Sequence, residues 1–178
     1  DADGEPLRPA LLWMDQRAFR EADEISATGD PVLRYVSGRV SPEWMLPKAL
    51  WLKRNEPEVF DRAARVVECT DWMMHRLTGA WTLSLNHLAV KWNYARPDGG
   101  WPLAMIAAVG LHDLPSKWPS EIVPLGKGEA TLSATAAADL GLKAGTPVAQ
   151  GGIDAYLGML GLGATGDGDV ALIVGSST

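Results

Sequence analysis

The sequence contains a single cysteine, Cys69, so an internal disulfide is excluded. A chain without disulfides is typical of reducing compartments, and we therefore expect a cytoplasmic protein. No run of apolar residues approaches the ~18 that a membrane-spanning helix needs, and no signal peptide opens the chain. These absences favour a protein with no membrane partner.

Familiar catalytic and metal-binding patterns are also missing. The sequence has no HExxH, CxxC, GxSxG or GxxxxGK[ST] pattern, and its three histidines are scattered without the spacing of metal ligands. We therefore predict no protein-bound metal site. The net charge of −6 and the pI near 5.0 argue against a nucleic-acid partner, because such proteins usually carry a basic patch.

The 178 residues are enough for one domain with a core, and 47% apolar with 21% charged residues is typical of globular proteins. Helical patterns alternate with short apolar runs that predict strands, which favours the α/β class. The predicted strands are residues 10–14, 66–69, 81–84, 147–150 and 170–174. The clearest helix predictions are 17–27, a helix that starts after Ser41, one that Thr70 caps, 133–140 and 154–162. Gly79 is expected to end the helix that Thr70 caps, and Gly141 to end 133–140.

A carboxylate follows two glycines where a predicted strand meets a predicted helix, in the segment Gln150–Tyr156. Glycines allow a sharp turn and close approach of a ligand, which would suit a catalytic Asp154. An aspartate at a helix start is also a common cap. On local sequence alone the cap is the favoured interpretation.

Three other segments have polar residues that a ligand could use. Gly175–Thr178 follows an apolar run and could present backbone N–H groups and hydroxyls to a phosphate, although glycine–serine turns are common. Trp13, Asp15 and Arg17 could line a polyol pocket, or form a core tryptophan beside an Asp–Arg pair. Lys91 could contact a sugar hydroxyl, but a lone lysine is usually solvated.

The order of these segments is more informative than any one of them. WxDxR at 13–17 precedes KxLWLK at 48–53, DWxxxxLTG at 71–79, GTPVxxGGxD at 145–154 and finally Gly-Ser-Ser-Thr at 175–178. This succession closely resembles the FGGY family of carbohydrate kinases, and the resemblance covers essentially the whole chain.

The resemblance implies an actin-like ATPase fold, related to ribonuclease H, in which sugar and ATP meet in a cleft between two domains. Residues 1–152 would be the later part of the first domain. Residues 153–178 would be the interdomain helix and the first strand of the second domain. Asp154 would be the catalytic base that accepts the proton of a sugar hydroxyl, with ATP and Mg²⁺ as cofactors.

The resemblance also implies roles for individual residues. The phosphate-contacting turn would contain Gly175, Ser176 and Ser177, with Ser176 in place of the usual threonine. The substrate-binding residues would be Trp13, Asp15, Lys91, Asp154 and Ala155, although Asp15 is expected to be mainly structural. Ala155 lacks the amide that xylulose and glycerol kinases place after the aspartate, and with Lys91 it favours a ketopentose such as ribulose or xylulose.

Two alternatives stay open: a non-catalytic pseudokinase that binds sugar, and a kinase of another polyol such as glycerol or gluconate. The family's Asp-x-Gly-Thr phosphate loop is missing. The chain does not begin with Met, and it stops directly after the predicted strand at 170–174 and the four residues that follow it. We therefore expect an internal segment of a longer kinase, inactive by itself. A homodimer of the full-length protein is compatible with the resemblance.

Overall fold

The computed structural model describes residues 1–128, 130–172 and 174. Short helices dominate it. The helices are α1 (Phe19–Ala27), α2 (Met45–Asn55), α3 (Pro57–Arg62), α4 (Cys69–Thr78), α5 (Leu85–Lys91), α6 (Leu103–Ala108), α7 (Ala134–Leu140) and α8 (Asp154–Gly161), with 3-10 turns at Pro31–Val36, Arg96–Asp98 and Leu114–Lys117.

Two short strands, β1 (Leu83–Ser84) and β2 (Ile122–Val123), form a parallel pair. Leu83 lies opposite Ile122, and Ser84 lies opposite Val123. Both residues of β1 are fully buried. Since β1 runs directly into α5, the pair fixes where α5 begins.

The ends of α4 and α7 follow from local chemistry. The α4 start is a capping box, in which the Glu68 side chain accepts from the backbone of Asp71 and the Asp71 side chain accepts from the backbone of Glu68. The Ser133 hydroxyl accepts from the Ala136 N–H at 3.1 Å at the start of α7. Gly79 and Gly141 end the two helices with positive φ of 81° and 66°, which confirms both as the predicted stop residues.

The main core lies where α1, α2 and α3 pack together and continues to α5 and α6. Its aromatic part is a group of three tryptophans, in which the Trp101 and Trp118 rings stack at 4.2 Å and the Trp92 ring tilts against both. Burying large rings is the largest apolar contribution a side chain can make to a core. A smaller apolar cluster contains Leu132, Ala136 and Ala137 beneath α7.

Of the predicted strands, 81–84 is confirmed in part, as β1. Residues 10–14, 66–69 and 147–150 are wrong as strands, since they run as turns or extended chain and Cys69 already belongs to α4. The prediction at 170–174 is also wrong for its described residues, 170–172 and 174, where Val170 and Leu172 are 89% and 70% exposed. Apolar content favours a strand, but a strand also needs a continuous ladder of hydrogen bonds to a neighbour. Pro147 makes only an isolated antiparallel bridge with Thr131, and Val66 donates a single bond to the Lys117 carbonyl at 3.2 Å.

Two predicted helix starts are wrong as well. Ser41 does not cap α2, because residues 41–44 form a turn and the helix begins at Met45 after Trp44. Thr70 lies inside α4, whose cap is Glu68. In the described part of the chain, no helix has the length and apolar character needed to cross a membrane.

Candidate functional site

Asp154 is the first residue of α8, and its side chain is exposed. Ile153, in extended conformation, is the residue that precedes the helix, so Asp154 is not itself the N-cap. The Asp154 Oδ1 atom accepts a hydrogen bond from the Ala155 N–H at 2.8 Å. A carboxylate in the first turn of a helix is favourably placed, and here it remains accessible to a ligand.

The loop that leads to α8 is held by side chains from the segment around β1. Thr82 and Ser84 are two residues apart in extended chain, which puts their side chains on the same side, and Asn86 follows in the first turn of α5. The three contacts are Thr82 Oγ1 to Gln150 Oε1 at 2.9 Å, Ser84 Oγ to the Gly151 carbonyl at 2.8 Å, and the Ile153 N–H to Asn86 Oδ1 at 2.9 Å. We call these the loop contacts.

Gly152 lies at the tightest point of this loop. A Cβ atom there would come within 2.6 Å of Leu125 Cδ1 and 2.9 Å of Asn86 Oδ1. A side chain at this position would therefore displace the ends of the Leu125 and Asn86 side chains, including the Asn86 oxygen that accepts the Ile153 N–H. The GGxD pattern thus has a packing reason at its second glycine.

The loop contacts rest on a buried carboxylate, Asp71. Its Oδ1 atom accepts from the Ser84 N–H at 2.8 Å, and its Oδ2 atom accepts from the Glu68 N–H at 3.4 Å. Burial raises the pKa of Asp71 to about 7; the Ser84 hydrogen bond opposes that rise and the nearby Glu68 charge adds to it. Asp71 therefore connects α4 to β1.

A second polar group surrounds Lys48 of α2, which is only 8% exposed. The Lys48 ammonium donates to the Leu12 carbonyl at 2.6 Å. Burial lowers the pKa of Lys48, while the carboxylates of Glu68 and Asp15 raise it. The bond ties α2 to the segment that contains Trp13 and Asp15.

α5 contributes His87 and Lys91 to the same polar group. The two are four residues apart, so they lie on one face of the helix. Burial lowers the pKa of His87, the Glu68 carboxylate raises it, and the Lys91 charge lowers it further. Lys91, which is partly exposed, also lowers the pKa of Lys48 through the repulsion of like charges. We call Lys48, Glu68, His87 and Lys91 the polar cluster.

Trp13 is 52% exposed beside this cluster, so its ring is accessible to a ligand. Asp15 is paired with Arg17, whose guanidinium approaches its Oδ2 atom to 2.7 Å and holds the pKa of Asp15 below its ordinary value. The guanidinium of Arg17 in turn lies 4.8 Å from the centre of the Trp51 ring. The pair braces the turn that presents Trp13.

Of the predicted site residues, Asp15 and Lys91 both affect the pKa of Lys48, and Trp13 follows the Leu12 carbonyl that Lys48 binds. Asp154 and Ala155 lie at the helix start that follows the Asn86 contact. Gly175, Ser176 and Ser177 lie outside the described residues. Sequence reasoning missed Lys48, Glu68, Asn86 and His87. Asn86 bonds a backbone N–H 67 residues away, and nothing in the local sequence signals that contact.

Across residues 1–128, 130–172 and 174, no group of three or more His, Cys, Asp or Glu side chains could hold a metal ion. A cavity of about 330 Å³ lies elsewhere, between the Pro31–Val36 turn and α5, and none of the predicted site residues lines it.

Comparison with known proteins places this geometry in context. The family model described as "FGGY family of carbohydrate kinases, N-terminal domain" matches residues 1–161. An FGGY carbohydrate kinase domain-containing protein of Xenopus laevis is 37% identical over 91% of this chain and 30% of its own length. A ribulokinase of Shouchella clausii is 31% identical over 98% of this chain and 32% of its own length.

The fold comparison agrees. A crystal structure of xylulose kinase from Rhodospirillum rubrum superposes with a TM-score of 0.77 at 27% identity, over 91% of this chain and 33% of that one. The predicted fold class, part of a domain of the actin-like ATPase type, is thereby confirmed. The chain spans about a third of the length of the curated relatives it matches.

Proposed function

Since this chain belongs to the FGGY family of carbohydrate kinases, we propose that the full-length protein transfers the γ-phosphoryl group of ATP to a hydroxyl of a sugar. The observation that carries the proposal is Asp154, an exposed carboxylate at the start of a helix whose entry loop is held by the loop contacts. An accessible carboxylate on a rigid support is what a positioned general base requires.

In this proposal the Asp154 carboxylate accepts the proton of the sugar hydroxyl as its oxygen bonds to the γ-phosphorus. The bond from that phosphorus to the β,γ-bridging oxygen breaks, and ADP leaves. Most of the rate acceleration in phosphoryl transfer comes from alignment and charge stabilisation. The rate should therefore depend on how firmly the Asp154 carboxylate is held in position.

The polar cluster supports a sugar site next to Trp13. Lys91 offers an ammonium donor to sugar oxygens, and the Trp13 ring offers an apolar face for a sugar's C–H bonds. The Lys48 ammonium already donates to the Leu12 carbonyl, so we propose that Lys48 holds the neighbouring Trp13 in place rather than binding the sugar. The substrate-binding residues of the proposal are Trp13, Asp15, Lys91, Asp154 and Ala155.

We favour a ketopentose as the acceptor. Relatives called ribulokinase are 28% to 33% identical to this chain over 94% to 99% of its length. Ala155 has no amide or hydroxyl to offer a substrate, whereas Lys91 does offer a donor, and this pairing suits ribulose better than glycerol.

ATP and Mg²⁺ complete the proposal. The phosphate-contacting turn would be Gly175, Ser176 and Ser177. Mg²⁺ prefers several waters and substrate phosphates over an all-protein cage, so it would be held mainly by the phosphates of ATP. Bound to ATP, the metal would neutralise charge on the phosphates.

The test is a coupled assay of ADP release by the full-length protein with ATP, Mg²⁺ and one acceptor at a time. The acceptors are D-ribulose, L-ribulose, D-xylulose, glycerol and gluconate, with the Asp154→Ala protein as the matched control. We expect the highest kcat/KM with a ketopentose and no sugar-dependent signal from the control. Absence of sugar-dependent ADP release with every acceptor would overturn the kinase, and a clear preference for glycerol would overturn the ketopentose.

A further inference from the structure

Asn86 occupies the junction between α5 and the start of α8. Its Oδ1 atom accepts the Ile153 N–H at 2.9 Å, and Ile153 is the residue directly before Asp154. The carboxamide therefore acts on the backbone one residue away from the proposed base. It makes no contact with a substrate in this picture, so any influence on the reaction passes through Ile153.

The position of Asn86 is itself closely determined. Gly152 has no side chain, and a Cβ atom there would lie 2.9 Å from Asn86 Oδ1, so the carboxamide packs directly on the loop backbone. Two hydrogen bonds hold Ser84, just before α5. Its N–H donates to the Asp71 carboxylate, and its hydroxyl donates to the Gly151 carbonyl. Asn86 thus sits on a support that includes a buried carboxylate.

α8 makes few contacts with the rest of the described residues. None of its residues is buried against them, and Tyr156, Leu157 and Leu160 are 41%, 43% and 52% exposed. Within the first domain, the contacts that place the start of this helix are therefore those of the loop that precedes it. Among the loop contacts, the hydrogen bond from the Ile153 N–H to Asn86 lies nearest to α8.

The same helix that carries Asn86 ends in Lys91. The two are five residues apart, or about 7.5 Å along the helix axis. α5 therefore carries both the residue that bonds the entry to Asp154 and the lysine proposed to contact the sugar. A shift of α8 relative to α5 would change the distance between the proton acceptor and the sugar-binding group.

We propose that Asn86 is a positioning residue: by accepting the Ile153 N–H it fixes the start of α8 against α5, so that Asp154 and Lys91 reach one bound sugar together. The inference rests on the proposed function for its effect on turnover. A displacement of about 1 Å in such an arrangement can lower a rate about 10²-fold.

The experiment compares Asn86→Ala with Asn86→Asp in the full-length protein, with Asn55→Ala as control. Aspartate keeps an oxygen that can accept the Ile153 N–H, whereas alanine does not. Asn55 is exposed on α2, where its amide donates to the Trp51 carbonyl. We expect Asn86→Ala to lower kcat at least tenfold while the KM for ATP stays within twofold. Asn86→Asp should recover most of the lost kcat. Asn55→Ala should have the same kcat as the unchanged protein.

A second readout does not depend on turnover. Hydrogen–deuterium exchange of a peptide covering residues 151–156 reports directly on the Ile153 N–H. We expect its exchange to accelerate at least tenfold in Asn86→Ala and to stay unchanged in Asn55→Ala. A loss of thermal stability with kcat preserved would reveal a merely structural residue and overturn the inference.

The two proposals can fail separately. No sugar-dependent turnover by the unchanged protein would overturn the proposed function, and exchange at Ile153 would still decide whether Asn86 holds the start of α8. Turnover that Asp154→Ala abolishes but Asn86→Ala leaves intact would overturn the positioning role alone. Equal exchange at Ile153 with and without the Asn86 carboxamide would do the same.

Discussion

The ammonium of Lys48 donates to the backbone carbonyl of Leu12 at 2.6 Å, which joins a buried position on α2 to the turn that presents Trp13. Few lysines are this buried, and Lys48 retains its place because the carbonyl and the nearby carboxylates of Glu68 and Asp15 compensate for lost hydration. The bond links the main core to the proposed sugar site.

Lys48→Met keeps the length and apolar stem of the side chain but removes the donor. We expect the turn at residues 12–15 to loosen, with faster hydrogen exchange there and a three- to tenfold higher KM for sugar, equivalent to about 0.7–1.4 kcal/mol. Lys53→Met is the matched control, since Lys53 also lies on α2 and donates to a backbone carbonyl, that of Gly110 at 2.8 Å. An equal rise in KM for both variants would contradict the role given to Lys48.

Lys91→Met should weaken sugar binding without removing the base. A hydrogen bond from a charged donor is worth about 1.5–3 kcal/mol, so KM for the sugar should rise about ten- to hundredfold. Steady-state kinetics at saturating ATP measure this change, with the exposed Lys143→Met as the control. Unchanged KM in the Lys91 variant would remove Lys91 from the sugar site.

Gly152→Ala should be destabilising, because the new methyl group meets Leu125 and Asn86 at distances below 3.0 Å. Overpacking of this kind costs about 1–3 kcal/mol. Gly161→Ala is the control: it lies at the end of α8 with open space around it, and alanine there should be neutral or stabilise by up to about 1 kcal/mol. Thermal unfolding midpoints compare the two, and equal midpoints would contradict the close packing at Gly152.

Asp71 should make stability depend on pH. Its pKa is raised to about 7 in the folded chain from an ordinary 3.8, so between these values the folded state holds a proton that the unfolded state has lost. The free energy of unfolding should therefore fall as pH rises from 4 to 7, by up to about 1.4 kcal/mol per pH unit, and level off above.

Asp71→Asn tests this, because the amide can still accept the Ser84 N–H but does not titrate. The urea unfolding midpoint of both proteins is measured at half-unit steps from pH 4.5 to 8. The midpoint of the unchanged protein should fall relative to that of the variant as pH rises to 7, and the two curves should run parallel above pH 7. Parallel curves throughout would show that Asp71 is not the titrating group.

Local signals in the sequence were sufficient where a structure is decided locally. Glycines at 79 and 141 end their helices as predicted, and the helix after GGxD begins at Asp154. The capping box of α4 has Glu68 and Asp71 in place of the usual Ser/Thr and Glu/Gln, so the sequence pattern favours Thr70 as the cap instead.

Contacts between distant segments were not readable. Apolar runs at 10–14 and 147–150 predicted strands, yet a strand depends on a neighbour that a single segment does not disclose. Asn86 and Ile153 are 67 residues apart, and Lys48 and Leu12 are 36 residues apart, so neither bond follows from spacing. The site residues that sequence reasoning missed are those that act through such distant contacts.

The central claim is that Asp154 accepts the proton of the sugar hydroxyl, and Asp154→Asn in the full-length protein tests it most directly. Asparagine keeps the size and the side-chain oxygen that accepts the Ala155 N–H, but it cannot serve as a base. We predict that kcat falls by a factor of about 10² to 10⁴ while the dissociation constant for the ketopentose, measured by calorimetry, changes less than threefold. Retention of kcat with reduced thermal stability would show that Asp154 only stabilises the start of α8, and would contradict the account.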